Sequence, residues 1–101
     1  MEITSKQRAQ LRGIGSTIDT TIYVGKGGVA EGVVAQLNEE LEQREIVKGK
    51  VLENAMLTPR EVCDALAQMT KAQPVQVIGS KFVLYRHNPK LDKEKRIKLV
   101  K

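Results

Sequence analysis

The stretch TIYVGKGGVAEG, residues 21–32, decides how this chain is read. A β-branched and aromatic run ends at Val24, and Gly25-Lys26-Gly27-Gly28 follows. Apolar residues at helical spacing begin immediately afterwards. The pattern is a strand that passes through a tight turn into a helix. Glycines in such a turn let a ligand approach the backbone closely. The helix N-terminus behind them attracts anions. The ligand that suits this turn is a phosphate, either of a nucleotide cofactor or of a nucleic acid.

Upstream, residues 4 to about 13 read as a short helix capped by Thr4 or Ser5 and ended by Gly13 and Gly15, with Leu11 and Ile14 as its apolar contacts. Downstream, a helix from about 29 to 44 places Val29, Val33, Leu37 and Leu41 on one stripe with Val34 beside it. The run IVKGKVLE is a second strand, with Val47, Gly49 and Val51 on one face and Lys48 and Lys50 on the other. TPRE opens a third helix: Thr58 is the cap, Pro59 the first helical residue, and Glu61 completes a capping box. Val62, Leu66 and Met69 are its expected buried edge. PVQVIGSKFVLYRH reads as two strands joined at Gly79-Ser80, and residues 88–101 as a basic tail without a core pattern. The order is α-β-α-β-α-β-β. The first two strands flank a helix and should be parallel through a right-handed crossover. The last two form an antiparallel hairpin. The expected fold is an α/β domain, a four-stranded mixed sheet with helices mainly on one face, without repeats or linkers.

A chain of 101 residues with 41 % hydrophobic residues suits one domain over residues 1–101 with a single modest core. It carries no apolar run long enough to span a bilayer, and MEITSKQRAQ lacks a secretory apolar core. The lone Cys63 forms no internal disulfide and suits a reducing compartment, so a cytoplasmic protein is expected. Cys63 reads as a small semi-buried hydrophobe. The one histidine, His87, lies far along the chain, and no Cys/His cluster suggests zinc. Net charge is +5, polarised toward both ends. Within TSKQRAQLR, Lys6, Arg8 and Arg12 stand without an acid, and the run from Arg86 to Lys101 is rich in cations. The acids gather at NEELEQRE. Folding that merges the ends would build one basic face for a polyanion; solvated surface charge is the plainer alternative.

Enzyme signals are scarce. A Walker A loop is absent, because Lys26 lies between the glycines and no Ser or Thr follows it. Gly25-Lys26-Gly27-Gly28-Val29-Ala30 does match a dinucleotide-binding pattern, with Glu53 in place of the ribose-binding acid. A dinucleotide fold needs more strands than this chain supplies, and the expected terminal hairpin argues against it. Gly25 to Gly28 also form a G-x-x-G loop, which in KH domains lays RNA against the main chain. A tight turn without a ligand fits the same four residues.

Taken together, TSKQRAQLRGIG, YVGKGGVAEGVVAQLNEELEQREIVKGKV, LTPREVCDALAQMTKAQPVQVIG and KFVLYR resemble the CRM domain family, named for chloroplast RNA splicing and ribosome maturation. The stand-alone bacterial YhbY-like form is the nearest pattern. The resemblance is nearly end to end, and the tail after Arg86 departs from it. It implies RNA binding, a role on large ribosomal subunit precursors for bacterial members, and a fold similar to the C-terminal domain of bacterial translation initiation factor three. It places the family's G-x-x-G loop on Gly25, Lys26, Gly27 and Gly28.

The reading that follows is a non-catalytic RNA-binding module, without cofactor, metal, membrane or small-molecule substrate, acting as a monomer on ribosomal RNA. Its candidate contacts are the loop, Arg8 and Arg12, Lys48 and Lys50, and Arg86. Lys48 and Lys50 equally suit a solvated sheet face. Tyr23 and Tyr85 can stack bases but are expected in the core. The alternative is a module that docks a ribosomal protein or helicase through the acidic second helix, with Glu31, Glu39, Glu40 and Glu42. A small nucleotide-binding enzyme is a third reading.

Overall fold

The computed structural model describes residues 2–101. Three helices and four strands follow the expected order: α1 (Ser5–Gly15), β1 (Thr20–Val24), α2 (Glu31–Arg44), β2 (Ile46–Val51), α3 (Pro59–Thr70), β3 (Gln73–Ile78) and β4 (Lys81–Tyr85). The sheet order is β1-β2-β4-β3, with β1 and β2 parallel and the other pairs antiparallel.

Local sequence sets the helix starts. The Thr4 and Thr58 hydroxyls each accept a hydrogen bond from the backbone N–H three residues on, and the Gln7 and Glu61 side-chain oxygens in turn accept from the cap N–H. Both are capping boxes, and Pro59 stands where its missing N–H costs nothing. The second helix begins at Glu31 because Ala30 is still extended and offers no side-chain cap. The first helix ends at the second of its two glycines, Gly15, and not at about residue 13. It runs through Gly13 to Gly15, since the Ser16 and Thr17 hydroxyls donate to the carbonyls of Gly13 and Ile14 and satisfy the last turn without a left-handed residue. Gly15 serves packing instead: a Cβ there would sit 3.0 Å from a Val83 methyl.

The sheet is covered on both faces, so there are two apolar clusters where one was expected. On one face α2 and α3 bury Ile22, Val24, Leu37, Leu41, Val47, Val51, Val62, Leu66, Phe82 and Leu84. On the other, α1 sets Leu11 against Ile46, Val75, Val83 and Tyr85, with Ile14 at the margin. Met69 is not part of the buried edge of α3; it is 57 % exposed, and Cys63, Ala67 and Thr70 take the inward positions. Burial pushes the Cys63 thiol up to about 11, with the neighbouring Asp64 adding to the shift. That is the behaviour of a core residue and not of a nucleophile.

The tail departs most from its expected description. Ile97 and Leu99 pack on the α1-side cluster. Gln10 grips the tail like a strand edge: its amide nitrogen donates to the Lys98 carbonyl at 2.8 Å, and its oxygen accepts from the Val100 N–H at 2.9 Å. Gln7 donates to the Val100 carbonyl. Only two apolar residues, spaced for an extended chain, join these hydrogen bonds in seating the segment, too few to stand out as a pattern.

Candidate nucleic-acid interface

The strand register places the candidate residues. At one end of the sheet lie the 25–28 turn, the segment after Val51 and the 79–80 hairpin: Leu52 N–H donates to the Val24 carbonyl, and Val51 N–H to that of Ser80. The turn itself is closed by Gly28 N–H on the Gly25 carbonyl at 3.0 Å. Gly28 has φ +66, a conformation that a glycine adopts without strain. Lys26 and Gly27 are exposed, and nothing lies within 4 Å of where a Gly27 side chain would begin. The turn therefore presents open main chain and a solvated ammonium group directly ahead of an α2 N-terminus that has no side-chain cap.

On the α1-side face, at this same end, Tyr23, Lys50, Lys81 and Ile78 form a row across all four strands. The pairings are Tyr23 with Lys50, Lys50 with Lys81, and Lys81 with Ile78. Helix α1 does not cover them: Tyr23 is 54 % and Ile78 62 % exposed. Lys50 and Lys81 are directly opposed on antiparallel strands, an unfavourable placement of like charges. Among the described residues, neither has a carboxylate within ion-pair distance. Beside this row, Arg12, Lys48 and Lys81 border a cleft of about 370 Å³ floored by Gly15 and Val83. The fold thus brings Arg12, Lys48 and Lys50 to this cleft and row, with Lys26 in the turn at the same end of the sheet. It adds Lys81, which sequence reasoning missed, and Tyr23, which it placed in the core. Tyr85 is in the core as expected, but Tyr23 is not, because the alternation of β1 turns it away from Ile22 and Val24.

Arg8 and Arg86 are placed differently. The Arg8 guanidinium donates to the Pro74 carbonyl, tying α1 to β3. Arg86 lies at the opposite end of the sheet and is fully engaged. It donates to the Asn38 side chain and carbonyl, to the Thr70 carbonyl, and to the Glu42 carboxylate at 3.1 Å. It fastens the C-terminal halves of α2 and α3 to the end of β4. The acidic face of α2 is also partly committed: Glu42 pairs with Arg86 and accepts from Asn88, and Glu40 accepts from Thr21 and Gln36. Glu31 and Glu39 remain on the exposed surface. Glu53, the acid of the dinucleotide pattern, is exposed in the loop after β2.

A second residue that sequence reasoning missed is Glu45, fully buried at the end of α2. Its carboxylate accepts from the N–H groups of Asn88 at 2.6 Å and Ile97 at 2.7 Å, and lies 3.2 Å from His87 Nδ1. It stands in the left-handed conformation, φ 65, where glycine or asparagine is usual. An acid at a helix C-terminus opposes the macrodipole, and that mismatch was the available signal. No helix is long and apolar enough to cross a membrane, and no group of metal-ligating side chains occurs among the described residues.

Comparison with known proteins gives one consistent result. The family model of the CRS1 / YhbY (CRM) domain matches residues 3–86. A Bacillus subtilis protein named "Probable RNA-binding protein YqeI" is 37 % identical over 85 % of this chain and 90 % of its own length. A Pseudomonas aeruginosa protein, "Probable RNA-binding protein PA4753", is 32 % identical over 92 % of this chain and 89 % of its own. The solution structure of a Staphylococcus aureus protein, SAV1595, superposes with a TM-score of 0.80 at 38 % identity, covering 98 % of this chain and all of that one.

Proposed function

Because the chain belongs to the CRS1 / YhbY (CRM) domain family, we propose that it binds RNA, and ribosomal RNA of large-subunit precursors in particular, as a module that acts by occupancy and not by catalysis. The observation that carries this is the opposed Lys50–Lys81 pair, next to exposed Tyr23 and at the same end of the sheet as the 25–28 turn. Two cations held face to face cost stability in the free protein. An RNA backbone passing over this end relieves the repulsion and meets Lys26, Lys48 and Arg12 as well. Tyr23 offers one ring to one base, so phosphate and shape outweigh base reading. The names of the relatives support RNA as the partner. The family resemblance supports the ribosomal setting.

Two measurements test it. Lys26→Glu and the Lys50→Gln/Lys81→Gln pair should each weaken binding to a ribosomal RNA fragment by about tenfold or more and flatten the salt dependence by about one phosphate contact per charge removed. Unchanged affinity in both folded variants rejects the interface. In a sucrose gradient at low salt, the tagged protein should sediment with large-subunit precursors and leave them as salt rises. A protein that stays at the top of the gradient, or follows translating ribosomes, rejects the assembly reading.

A further inference from the structure

Nearly all of the net charge of this chain resides in residues 88–101. Lys90, Lys93, Lys95, Arg96, Lys98 and Lys101 stand there against Asp92 and Glu94, a net +4 of the whole chain's +5. The family match ends at residue 86, so this charge lies outside it. The segment is also not a loose polycation. It is seated by main-chain groups and by apolar side chains: the N–H groups of Asn88 and Ile97 on buried Glu45, the carbonyls of Lys98 and Val100 on Gln10 and Gln7, and Ile97 and Leu99 in the α1-side cluster. That mode of attachment consumes none of the cationic side chains. Among the described residues, none of them lies within ion-pair distance of a carboxylate. Lys93, Arg96 and Lys98 instead border a cleft of about 510 Å³ together with His87 and Ile97, with no acid in its wall.

The register fixes where this surface lies. Tyr85, Glu45 and Asn88 belong to the end of the sheet opposite the 25–28 turn. The molecule is 39 Å in its longest dimension. We propose that the docked tail is a second phosphate-binding surface for RNA, separate from the turn, so that one copy of the protein holds two backbone segments of one folded RNA. The proposal rests on the RNA-binding reading above. Its logic is entropic as well as electrostatic: a tail already pinned by Glu45 and Gln10 does not have to be ordered when it meets phosphate. Two linked contacts on one RNA also act at a high effective concentration of the second.

The test uses the full chain and two RNAs: a structured ribosomal RNA fragment, and a single-stranded oligonucleotide too short to reach both ends of the molecule. The variant is Lys93→Gln/Arg96→Gln/Lys98→Gln. Amide exchange at Asn88 and Ile97 reports whether its tail is still docked. On the long RNA the variant should bind about tenfold more weakly or worse, with the salt slope reduced by about 2–3 for the three charges removed. On the oligonucleotide it should bind as the parent does. A charge-keeping variant, Lys93→Arg/Lys98→Arg, should retain the parent slope, which separates charge from packing. Parental affinity and slope for the triple variant on the long RNA, with Lys26→Glu still impaired, overturn the tail surface alone. Equal weakening on both RNAs overturns its separateness. A parent protein that binds neither RNA overturns the RNA-binding reading, and this proposal with it.

Discussion

Gly49 is dictated by a residue on the neighbouring strand. It pairs with Phe82 across β2 and β4, and the buried phenyl ring lies over it where a Cβ would be. A Gly49→Ala protein must move that ring out of the centre of the α2/α3-side cluster, which should cost about 1–3 kcal/mol. Urea unfolding with an unchanged m-value and a lower midpoint is the expected result; a midpoint equal to the parent's contradicts it. Gly27, with open space around it, should accept alanine without loss of stability in the same assay. The contrast explains which residues could be read in advance. Thr58, Pro59 and Glu61 were legible because a capping box involves only residues three apart. Gly15 and Gly49 were not, because their reasons are Val83 and Phe82. Arg86 looked like one more cation in a basic run, and only the fold shows Asn38, Glu42 and the Thr70 carbonyl around it.

The end of α2 and the tail behave as one element, joined through Glu45. Its two short backbone contacts, at Asn88 and Ile97, are charge-assisted and are worth about 1.5–3 kcal/mol each. Glu45→Gln keeps the shape and removes the charge. Amide exchange at Asn88 and Ile97 should accelerate by about tenfold or more, while amides in the centre of β4 should keep their protection. Unchanged exchange at both positions would show that Gln10 and the Ile97–Leu99 contacts hold the tail unaided. The strands and helices were legible because their periodicity extends over several residues. The tail was not: its inward residues are two, its grip comes from Gln10 and Glu45 more than fifty residues upstream of Ile97, and its composition reads as a solvated chain. The candidate interface was half legible for the same reason. Lys26 and the glycines are contiguous, but Lys81 joins Lys50 only through the pairing of β2 with β4.

The molecule as a whole is a sheet sealed on two sides, and each side buries one group that must stay protonated. Cys63 lies in the α2/α3-side cluster and Tyr85 in the α1-side cluster. Burial raises the thiol from 9.0 to about 11; burial, with the Glu45 charge adding to it, raises the phenol from 10.0 to about 12. Both groups are neutral when protonated, so a raised value means that the folded state holds the proton more tightly than the unfolded chain. Their contribution to stability is fully present below the unfolded values and is lost as pH rises through the folded ones. The loss should begin near pH 9 with the thiol, continue from pH 10 with the phenol, and be complete only above about pH 12. The melting temperature should therefore fall across this window. A Cys63→Ala protein should lose the part of the fall that begins near pH 9. Tyr85→Phe should remove the part that begins near pH 10. The Tyr85 hydroxyl is buried without a hydrogen-bond partner, so that substitution should also leave the neutral-pH melting temperature unchanged or higher. Thermal melts of the parent, both single variants and the double variant between pH 7 and 12 measure this directly. If the double variant falls as steeply as the parent, the alkaline limit belongs to the lysines and not to the two clusters.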